Sequence, residues 1–310
     1  IWQKIYKMQL SSHGMGYAST MALSGLDIAL WDIKGKYYNT PIYKLLGGDF
    51  KKIPSYAGGI ALGWQPASSL ADEALSHISK GFKAIKLRVG DKINFDIERV
   101  KKVRETVPEE IDVLVDANTN YSLKDAQKIM PFFEEYNIGW LEEPFPAMEF
   151  SNYKAAKSFS NVFFAAGENH FTRFEFARLI EDDCIKYAQP DVSKAGGITE
   201  LIRISNLMSG WNVSINPHTS LTAINMAASQ KLNPQETDAY VMSLMFADDG
   251  PVMTLLAPFI TEPIGYDRLL DVTVRNGRKQ LGGTVFTDSD SLPDKFAKAF
   301  ACFQFTPTTG

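Results

Sequence analysis

The stretch that decides the fold spans residues 112–143 and reads DVLVDANTNYSLKDAQKIMPFFEEYNIGWLEE. Two short apolar runs, Asp112–Asp116 and Ile138–Glu142, flank a longer amphipathic run. Short apolar runs of this kind are typical of buried strands, and the amphipathic run is typical of a covering helix. Ser122 stands before that run, and serine is a favoured N-cap residue. The stretch therefore predicts a strand–helix–strand unit with parallel strands.

The same alternation repeats along the chain. The predicted strands are Ile53–Gly58, Ala84–Val89, Asp112–Asp116, Ile138–Glu142, Val162–Ala166, Ile185–Gln189, Val213–Asn216 and Asp238–Leu244. Helical spacing fills Ala71–Lys80 and Asn94–Val107, and Thr172 is the expected N-cap of RFEFARLIED. About eight strand–helix units predict an α/β protein with a closed parallel barrel. An open doubly wound sheet is the alternative, but no glycine-rich dinucleotide loop follows the first strand, and AGG at Ala195–Gly197 indicates a tight turn.

The two ends differ from the middle. Residues 1–52 are predicted to be helical, with a long amphipathic stretch over Ala18–Lys36 and a stop at Gly47-Gly48. Residues 53–250 form the predicted barrel. Residues 251–310 contain scattered prolines and are expected to pack back on the part before the barrel.

Composition excludes several classes of protein. A chain of 310 residues that is 45% hydrophobic and 12% aromatic has ample core, so general disorder is excluded. A net charge of −4 argues against nucleic-acid and polybasic membrane binding. No apolar run of about 18 residues predicts a membrane span. The beginning IWQKIYKMQL lacks a signal-peptide core, and Cys184 and Cys302 match no disulfide or zinc framework, so we expect a soluble cytoplasmic protein.

Polar residues recur at the ends of the predicted strands. Gaps of 30, 26, 26, 23 and 27 residues separate, in order, Lys86, Asp116, Glu142, Glu168, Asp191 and His218. One polar residue per repeat, at or near the carboxyl end of its strand, converges on one mouth of a parallel barrel. That mouth is where barrel enzymes carry out their chemistry.

Asp116, Glu142 and Glu168 follow three successive strands. Three carboxylates directed at one point repel one another unless a cation neutralises them. Oxygen ligands alone suit a hard divalent ion, so the set predicts a Mg²⁺ site. The alternative is that these acids are surface ion-pair partners at the starts of loops.

Asp191 and His218 fall on neighbouring strands, where a hydrogen bond is possible. A carboxylate on one imidazole nitrogen fixes the tautomer and leaves the other nitrogen as an acid or base. The alternative is a structural histidine capped by an acid.

Lys86 and Arg88 alternate on one strand, so both side chains are predicted to face the barrel interior. A guanidinium does not deprotonate at working pH, so Arg88 is suited to hold a carboxylate or stabilise an oxyanion, and Lys86 can do either. The alternative is an internal ion pair with Asp116 or Glu142.

Weaker candidates are expected to contact a substrate. They are Asn118 and Glu143, which follow the same strands as the acids, His170, two residues beyond Glu168, and Tyr240 on the eighth strand. A solvated loop position is the alternative for His170, and a core position is the alternative for Tyr240.

Several phrases in order resemble the mandelate racemase/muconate lactonizing family of the enolase superfamily. They cover about residues 18–245 and read SGLDIALWDIKGK, PIYKLLGG, FKAIKLRVG, VDAN, WLEEP, GEN, QPDVSKAGGITE and NPH. The resemblance implies a modified (β/α)₇β barrel with an α+β capping domain, of which residues 1–52 are the helical remnant. It also implies Mg²⁺ bound by Asp116, Glu142 and Glu168, and a dyad of His218 and Asp191.

The sequence departs from the family pattern in three respects. Arg88 occupies the position of the second lysine, which usually acts as a base. The acid expected on the eighth strand has no obvious match near Tyr240. The strands of the capping domain, with the loops that usually select substrate, are not in this sequence, so we expect the chain to begin inside that domain.

Family chemistry removes the proton α to a carboxylate. With Arg88 in place of a lysine, His218 is the one convincing base, which disfavours racemisation and favours dehydration of a polyhydroxy acid to a 2-keto-3-deoxy acid. The resemblance therefore implies a Mg²⁺-dependent hydro-lyase acting on an aldonate or aldarate. A racemase or epimerase with Lys86 as the second base, and a non-catalytic metal-binding relic, are the alternatives. By analogy, a homo-oligomer, either a dimer or an octamer, is expected.

Overall fold

A parallel sheet organises the part of the chain that the structure describes. This computed structural model describes residues 1–11, 16–48, 56–58, 62–219, 225 and 228–229. Six strands in this part run parallel in sequence order: β1 (Ala84–Arg88), β2 (Asp112–Asp116), β3 (Ile138–Glu142), β4 (Phe163–Ala166), β5 (Tyr187–Ala188) and β6 (Ser214–Ile215). Sequence order is what successive strand–helix units produce in a barrel. The predicted α/β barrel class is confirmed by this sheet and by the structural likenesses described below.

The predicted bounds agree with the observed ones for the central strands and are too long for the strands that follow. The bounds of β2 and β3 agree with the predicted ones, and β1 ends one residue earlier than predicted. Ladders β4 to β6 are shorter than predicted, because β5 pairs with its neighbours over only two residues on each side. Ala57 in the predicted first strand forms a parallel bridge to Ile85. The predicted eighth strand, Asp238–Leu244, lies outside the described residues.

Helices follow the strands. The described helices are α1 (Trp2–Ile5), α2 (Tyr17–Tyr37), α3 (Ile42–Leu45), α4 (Ala67–Ser79), α5 (Ile93–Thr106), α6 (Leu123–Glu135), α7 (Phe150–Ala156), α8 (Thr172–Glu181) and α9 (Gly197–Gly210). Ser122 caps α6 as predicted, in a capping box with Asp125. The N-cap prediction for Thr172 is wrong. Extended Phe171 takes the cap position, and the Thr172 N–H donates to the carbonyl of Ala195 at 3.1 Å.

Alternation along each strand divides the core into two layers. Ile85 and Leu87 of β1 face the helices and join the large cluster between sheet and helices. Ala84 faces the other way, into a smaller cluster. That inner cluster, the barrel floor, consists of Tyr56, Ala84, Leu114, Trp140 and Ala165, with Tyr187 packed against it. Burying each large apolar side chain stabilises the fold by about 1.5–3 kcal/mol, so both layers hold the strand ends in place.

A tight turn precedes α9, as the AGG motif predicted. Gly196 and Gly197 have φ angles of +118° and +83°. A Cβ on Gly197 would lie 2.5 Å from the Cβ of Asp27 in α2. Only glycine therefore fits both the backbone conformation and the close approach of α2.

Three other expectations meet the structure at this level. None of the helices in the described part of the chain is long and apolar enough to span a bilayer. Cys184 is a buried free thiol, and Cys302 lies outside the described residues. The division at residues 52 and 250 stays a prediction.

Candidate active site

A layer of polar side chains lies directly above the barrel floor. Lys86, Asp116 and Glu142 lie on the inner face, each two residues beyond a floor residue of its own strand. Gln189 follows Tyr187 by the same step, and Asn216 follows Ser214, which pairs with Tyr187. Side chains two apart on a strand share a face. We call Lys86, Asp116, Glu142, Gln189 and Asn216 the polar ring.

Lys86 is the internal cation of this ring. Its Nζ lies 2.6 Å from Glu142 Oε1 and 3.1 Å from Asp116 Oδ2, and its side chain is buried. Burial by itself would lower the pKa of Lys86, but the carboxylates of Asp116 and Glu142 raise it well above the ordinary value. The inward orientation predicted for Lys86 is present, and so is the ion pair that was its alternative.

Arg88 binds the same acid from the next layer up. Its Nη1 lies 3.0 Å from Asp116 Oδ2. The other oxygen of Asp116 accepts the Asn118 N–H at 2.9 Å, and the Asn118 side chain is exposed. Both cations of β1 therefore meet on one oxygen of Asp116.

Glu142 is held from two sides. Its Oε1 faces Lys86, whereas its Oε2 accepts N–H groups from Gln189 at 2.7 Å and from Trp140 at 3.2 Å. Burial, with the charges of Asp116 and Glu168, raises the pKa of Glu142, although Lys86 opposes the shift. Asp116 and Glu168 therefore lie close enough to Glu142 to repel it.

Glu168 and His218 meet above the ring. His218 Nε2 lies 2.8 Å from Glu168 Oε2, and His218 Nδ1 lies 2.7 Å from Asp191 Oδ2. Burial by itself would lower the pKa of His218, but Glu168 and Asp191 raise it to about 9. Burial by itself would raise the pKa of Glu168, but the charge of His218 lowers it below its ordinary value. The hydrogen bond expected between Asp191 and His218 is thus present.

Asp191 is oriented by a network that sequence reasoning missed in part. Its Oδ1 accepts from the Ser193 N–H at 2.7 Å, the Ser193 hydroxyl at 2.6 Å and Asn225 Nδ2 at 2.8 Å. Serine two residues after aspartate is a local turn signal that could have been read from QPDVS. Asn225 lies 34 residues away and carries no such signal.

Glu143 points toward a loop. Asn169 donates to it through its side chain at 2.6 Å and its backbone N–H at 3.3 Å. Burial and the charge of Glu168 raise the pKa of Glu143 to about 8. Its predicted contact with substrate stays a prediction, but the structure shows Glu143 fixing the residue next to Glu168.

His170 occupies a place that neither expectation anticipated. Its ring is 0% exposed and packs against Phe150 and Phe176, so it is not a solvated loop residue. Nε2 donates to the carbonyl of Ala147 at 2.9 Å. Burial lowers the pKa of His170 to about 4, so the ring is neutral at physiological pH. Tyr240 lies outside the described residues.

The three acids predicted to bind Mg²⁺ are paired with three cationic side chains in this structure. Within the described residues, no group of three histidine, cysteine, aspartate or glutamate side chains is arranged to hold a metal ion. Asp116 and Glu142 nevertheless share one cation, the Lys86 ammonium, and Glu168 repels Glu142. Carboxylate oxygens that already share a cation suit a hard divalent ion in their chemistry. The metal site stays a prediction.

Family models match both parts of the chain. The model for the mandelate racemase / muconate lactonizing enzyme N-terminal domain covers residues 1–47, and the enolase C-terminal domain-like model covers residues 69–263. The chain belongs to the mandelate racemase/muconate lactonizing enzyme family. The resemblance inferred from the motifs is thereby confirmed, including membership of the enolase superfamily.

Individual family members extend this assignment. Arabinonate dehydratase of Saccharolobus solfataricus is 35% identical over 73% of this chain and 61% of its own length. A solved enolase-superfamily member from Polaromonas sp. JS666 is 47% identical, with a TM-score of 0.77 over 81% of this chain and 67% of that one. The 3,6-anhydro-D-galactonate cycloisomerase of Zobellia galactanivorans is 33% identical, with a TM-score of 0.73 over 80% and 69%. The chain spans 61% of the length of the curated dehydratase relative.

Proposed function

We propose that this family member is a Mg²⁺-dependent dehydratase of a sugar acid, either an aldonate or an aldarate. The observation that carries the proposal is the His218 imidazole, fixed by Asp191 at the mouth of the barrel beside the polar ring. The similarity to an arabinonate dehydratase supports the same reaction class. The product is a 2-keto-3-deoxy acid.

The metal is assigned to Asp116, Glu142 and Glu168. Bound Mg²⁺ supplies a positive charge that stabilises the oxyanion formed when a carboxylate loses its α-proton. Lys86 and Arg88 add fixed positive charge at the same point, because both already contact Asp116. Stabilisation of this kind contributes several kcal/mol to lowering the barrier.

His218 acts as both base and acid. The Asp191 carboxylate accepts a hydrogen bond from Nδ1–H of His218, because an ionised carboxylate can only accept. This leaves Nε2 as the nitrogen that exchanges protons. Nε2 takes the α-proton of the substrate after the proton that it donates to Glu168 has passed to solvent. The same nitrogen then gives that proton to the β-hydroxyl as its carbon–oxygen bond breaks. One water leaves, and the resulting enol becomes the keto acid.

Racemisation requires a second base on the opposite face of the α-carbon. Arg88 cannot serve, because guanidinium stays protonated. Lys86 is the remaining candidate, and its Nζ is held between two carboxylates. The arrangement of β1 therefore favours dehydration over inversion.

A library of aldonates and aldarates tests the proposal. With Mg²⁺, the purified protein is expected to form 2-keto product from at least one acid sugar. His218→Asn, which keeps a donor toward Asp191, is expected to lower kcat by about 10²–10⁴-fold. Folded, metal-bound protein that converts no acid sugar would refute the dehydratase. Exchange of the α-proton with deuterium without loss of water would instead indicate a racemase.

A further inference from the structure

Oε2 of Glu142 accepts hydrogen bonds from two neutral side chains, those of Gln189 and Trp140. We propose that Gln189, assisted by Trp140, is a positioning residue that holds Glu142 ready to bind the divalent cation. This inference rests on the metal site of the proposed function. It concerns two residues that do not themselves belong to the predicted ligand set.

Hydrogen-bond chemistry fixes the roles of the two carboxylate oxygens. Gln189 Nε2 and Trp140 Nε1 can only donate, and Glu142 Oε2 accepts both, at 2.7 and 3.2 Å. Oε1 has the Lys86 ammonium as its partner at 2.6 Å. Neutral donors orient a carboxylate without neutralising its charge. The two donors therefore restrict the rotation of Glu142 and leave Oε1 facing the cation.

The donors themselves are buried in the barrel interior. Gln189 and Trp140 are each 2% exposed. The Trp140 ring packs against Tyr56 and Tyr187, with centroid distances of 5.8 and 5.0 Å. The Gln189 backbone N–H donates to Ala166 at 2.9 Å. Packing of this kind leaves few alternative rotamers to the two donors. The barrel floor and β5 therefore set the direction of Glu142 Oε1.

Gly167, directly after β4, allows the backbone of Gln189 to lie close to the end of that strand. Gly167 has a φ of +151°, and a Cβ there would lie 2.6 Å from the Gln189 carbonyl carbon. A side chain at residue 167 would therefore push Gln189 away from its place. Glu168 follows this glycine directly, so the same close approach lies next to Gln189 and to one predicted ligand.

Among the predicted ligands in the described residues, Glu142 alone has two neutral side chains on one oxygen. Asp116 has a backbone N–H on one oxygen and cations on the other. Glu168 has His218 and a long 3.4 Å contact from Asn169. Glu142 is thus the predicted ligand whose orientation depends most on neutral side-chain donors.

Calorimetric titration with MgCl₂ tests the proposal. Gln189→Met keeps the size and shape of the side chain and removes the donor, and Trp140→Phe keeps the ring and removes the N–H. Loss of a partner that orients a ligand weakens metal binding by about 10–100-fold. We expect Gln189→Met to fall in that range and Trp140→Phe to have a smaller effect, because its hydrogen bond is longer. Gln65→Met is the matched control, since Gln65 donates to Glu73 outside the polar ring.

The double variant separates positioning from general destabilisation. Both donors act through one oxygen, so their effects on Mg²⁺ affinity are expected to be non-additive, whereas independent structural losses would add. Parent-like Mg²⁺ affinity in folded Gln189→Met or, should that variant not fold, in Trp140→Phe overturns the inference and leaves the metal site intact. A parent protein that binds no Mg²⁺ overturns the metal site and the inference with it.

Discussion

Two regions with buried carboxylates in the described part of the chain differ in the partners of those carboxylates. In the polar ring, Asp116 and Glu142 face the ammonium of Lys86. Where α2 meets the start of α9, Asp27 accepts the Thr199 backbone N–H at 2.8 Å and its hydroxyl at 2.7 Å. Neutral donors tied to the backbone hold a carboxylate permanently, whereas a flexible cation can be exchanged for another cation. The comparison separates a structural contact from a site where we propose that one cation replaces another.

The α2 contact has further permanent partners. The Gly196 N–H donates to the Ser24 hydroxyl at 2.9 Å, and its carbonyl accepts Trp2 Nε1 at 2.9 Å. Trp31 Nε1 donates to the Thr199 hydroxyl at 2.9 Å. This region therefore anchors the N-terminal helices to α9 through neutral groups.

Replacing Lys86 gives the sharpest test of exchange. In Lys86→Met the two carboxylates lose their shared cation, and removing one partner of a buried ion pair costs about 3–5 kcal/mol. Mg²⁺ should restore most of this loss by taking the same place between the acids. The measurement is urea unfolding of parent and variant, with Mg²⁺ and with a chelator.

An exposed lysine provides the control. Lys101→Met removes a surface pair with Glu105 at 3.9 Å, which contributes about 0–1 kcal/mol. Lys86→Met that loses the same free energy of unfolding with Mg²⁺ as without it would contradict exchange and leave a purely structural ion pair.

The sequence predicted which residues form this site, but not which of them pair with one another. The spacing of the strands placed Asp116 and Glu142 at one mouth of the barrel, because the carboxyl ends of its parallel strands meet there. It could not decide whether Lys86 would bind these acids or a substrate, since both have the same charge complementarity. Asp27 was not singled out, because its partner Thr199 lies 172 residues away and only the packing of α2 on α9 brings them together. His170 was misplaced because its cover, Phe150 and Phe176, comes from two helices.

Replacing Asp27 tests the permanent contact. Asp27→Ala leaves a partly buried Thr199 N–H without its acceptor, and we expect a loss of about 1–3 kcal/mol in the free energy of unfolding. Mg²⁺ affinity should stay unchanged, which distinguishes this region from the polar ring. Chemical unfolding combined with Mg²⁺ titration checks both statements, and a weaker Mg²⁺ affinity in Asp27→Ala would break the comparison.

The pH dependence of that loss has a defined sign. Burial raises the pKa of Asp27 from its ordinary 3.8, although its hydrogen bonds with Thr199 oppose the shift. The folded state therefore binds a proton more tightly than the unfolded state, and the parent loses stability as the pH rises from 3.8 through the raised pKa. The deficit of Asp27→Ala should be largest at low pH and shrink as the pH rises.

Asp125 is the less buried counterpart of Asp27. It accepts the Ser122 N–H at 3.1 Å and the Ser122 hydroxyl at 2.6 Å, the same two kinds of donor from one residue. Here the Ser122 hydroxyl hydrogen bond lowers the pKa of Asp125, although burial opposes the shift. Identical donors thus give opposite pKa shifts, and the difference in burial accounts for the sign.

Asp125→Ala is expected to have the smallest effect and the opposite pH dependence. An acid in the first turn of a helix contributes about 0.3–1 kcal/mol, so the variant should lose about that much at neutral pH. Because the folded pKa is below the ordinary value, this contribution is present above 3.8 and disappears as the pH falls through the folded pKa. Unfolding curves of Asp27→Ala and Asp125→Ala, measured over one pH series, should therefore diverge from the parent in opposite directions. Parallel curves would mean that burial does not set the sign, and the distinction between the two kinds of carboxylate would need another cause.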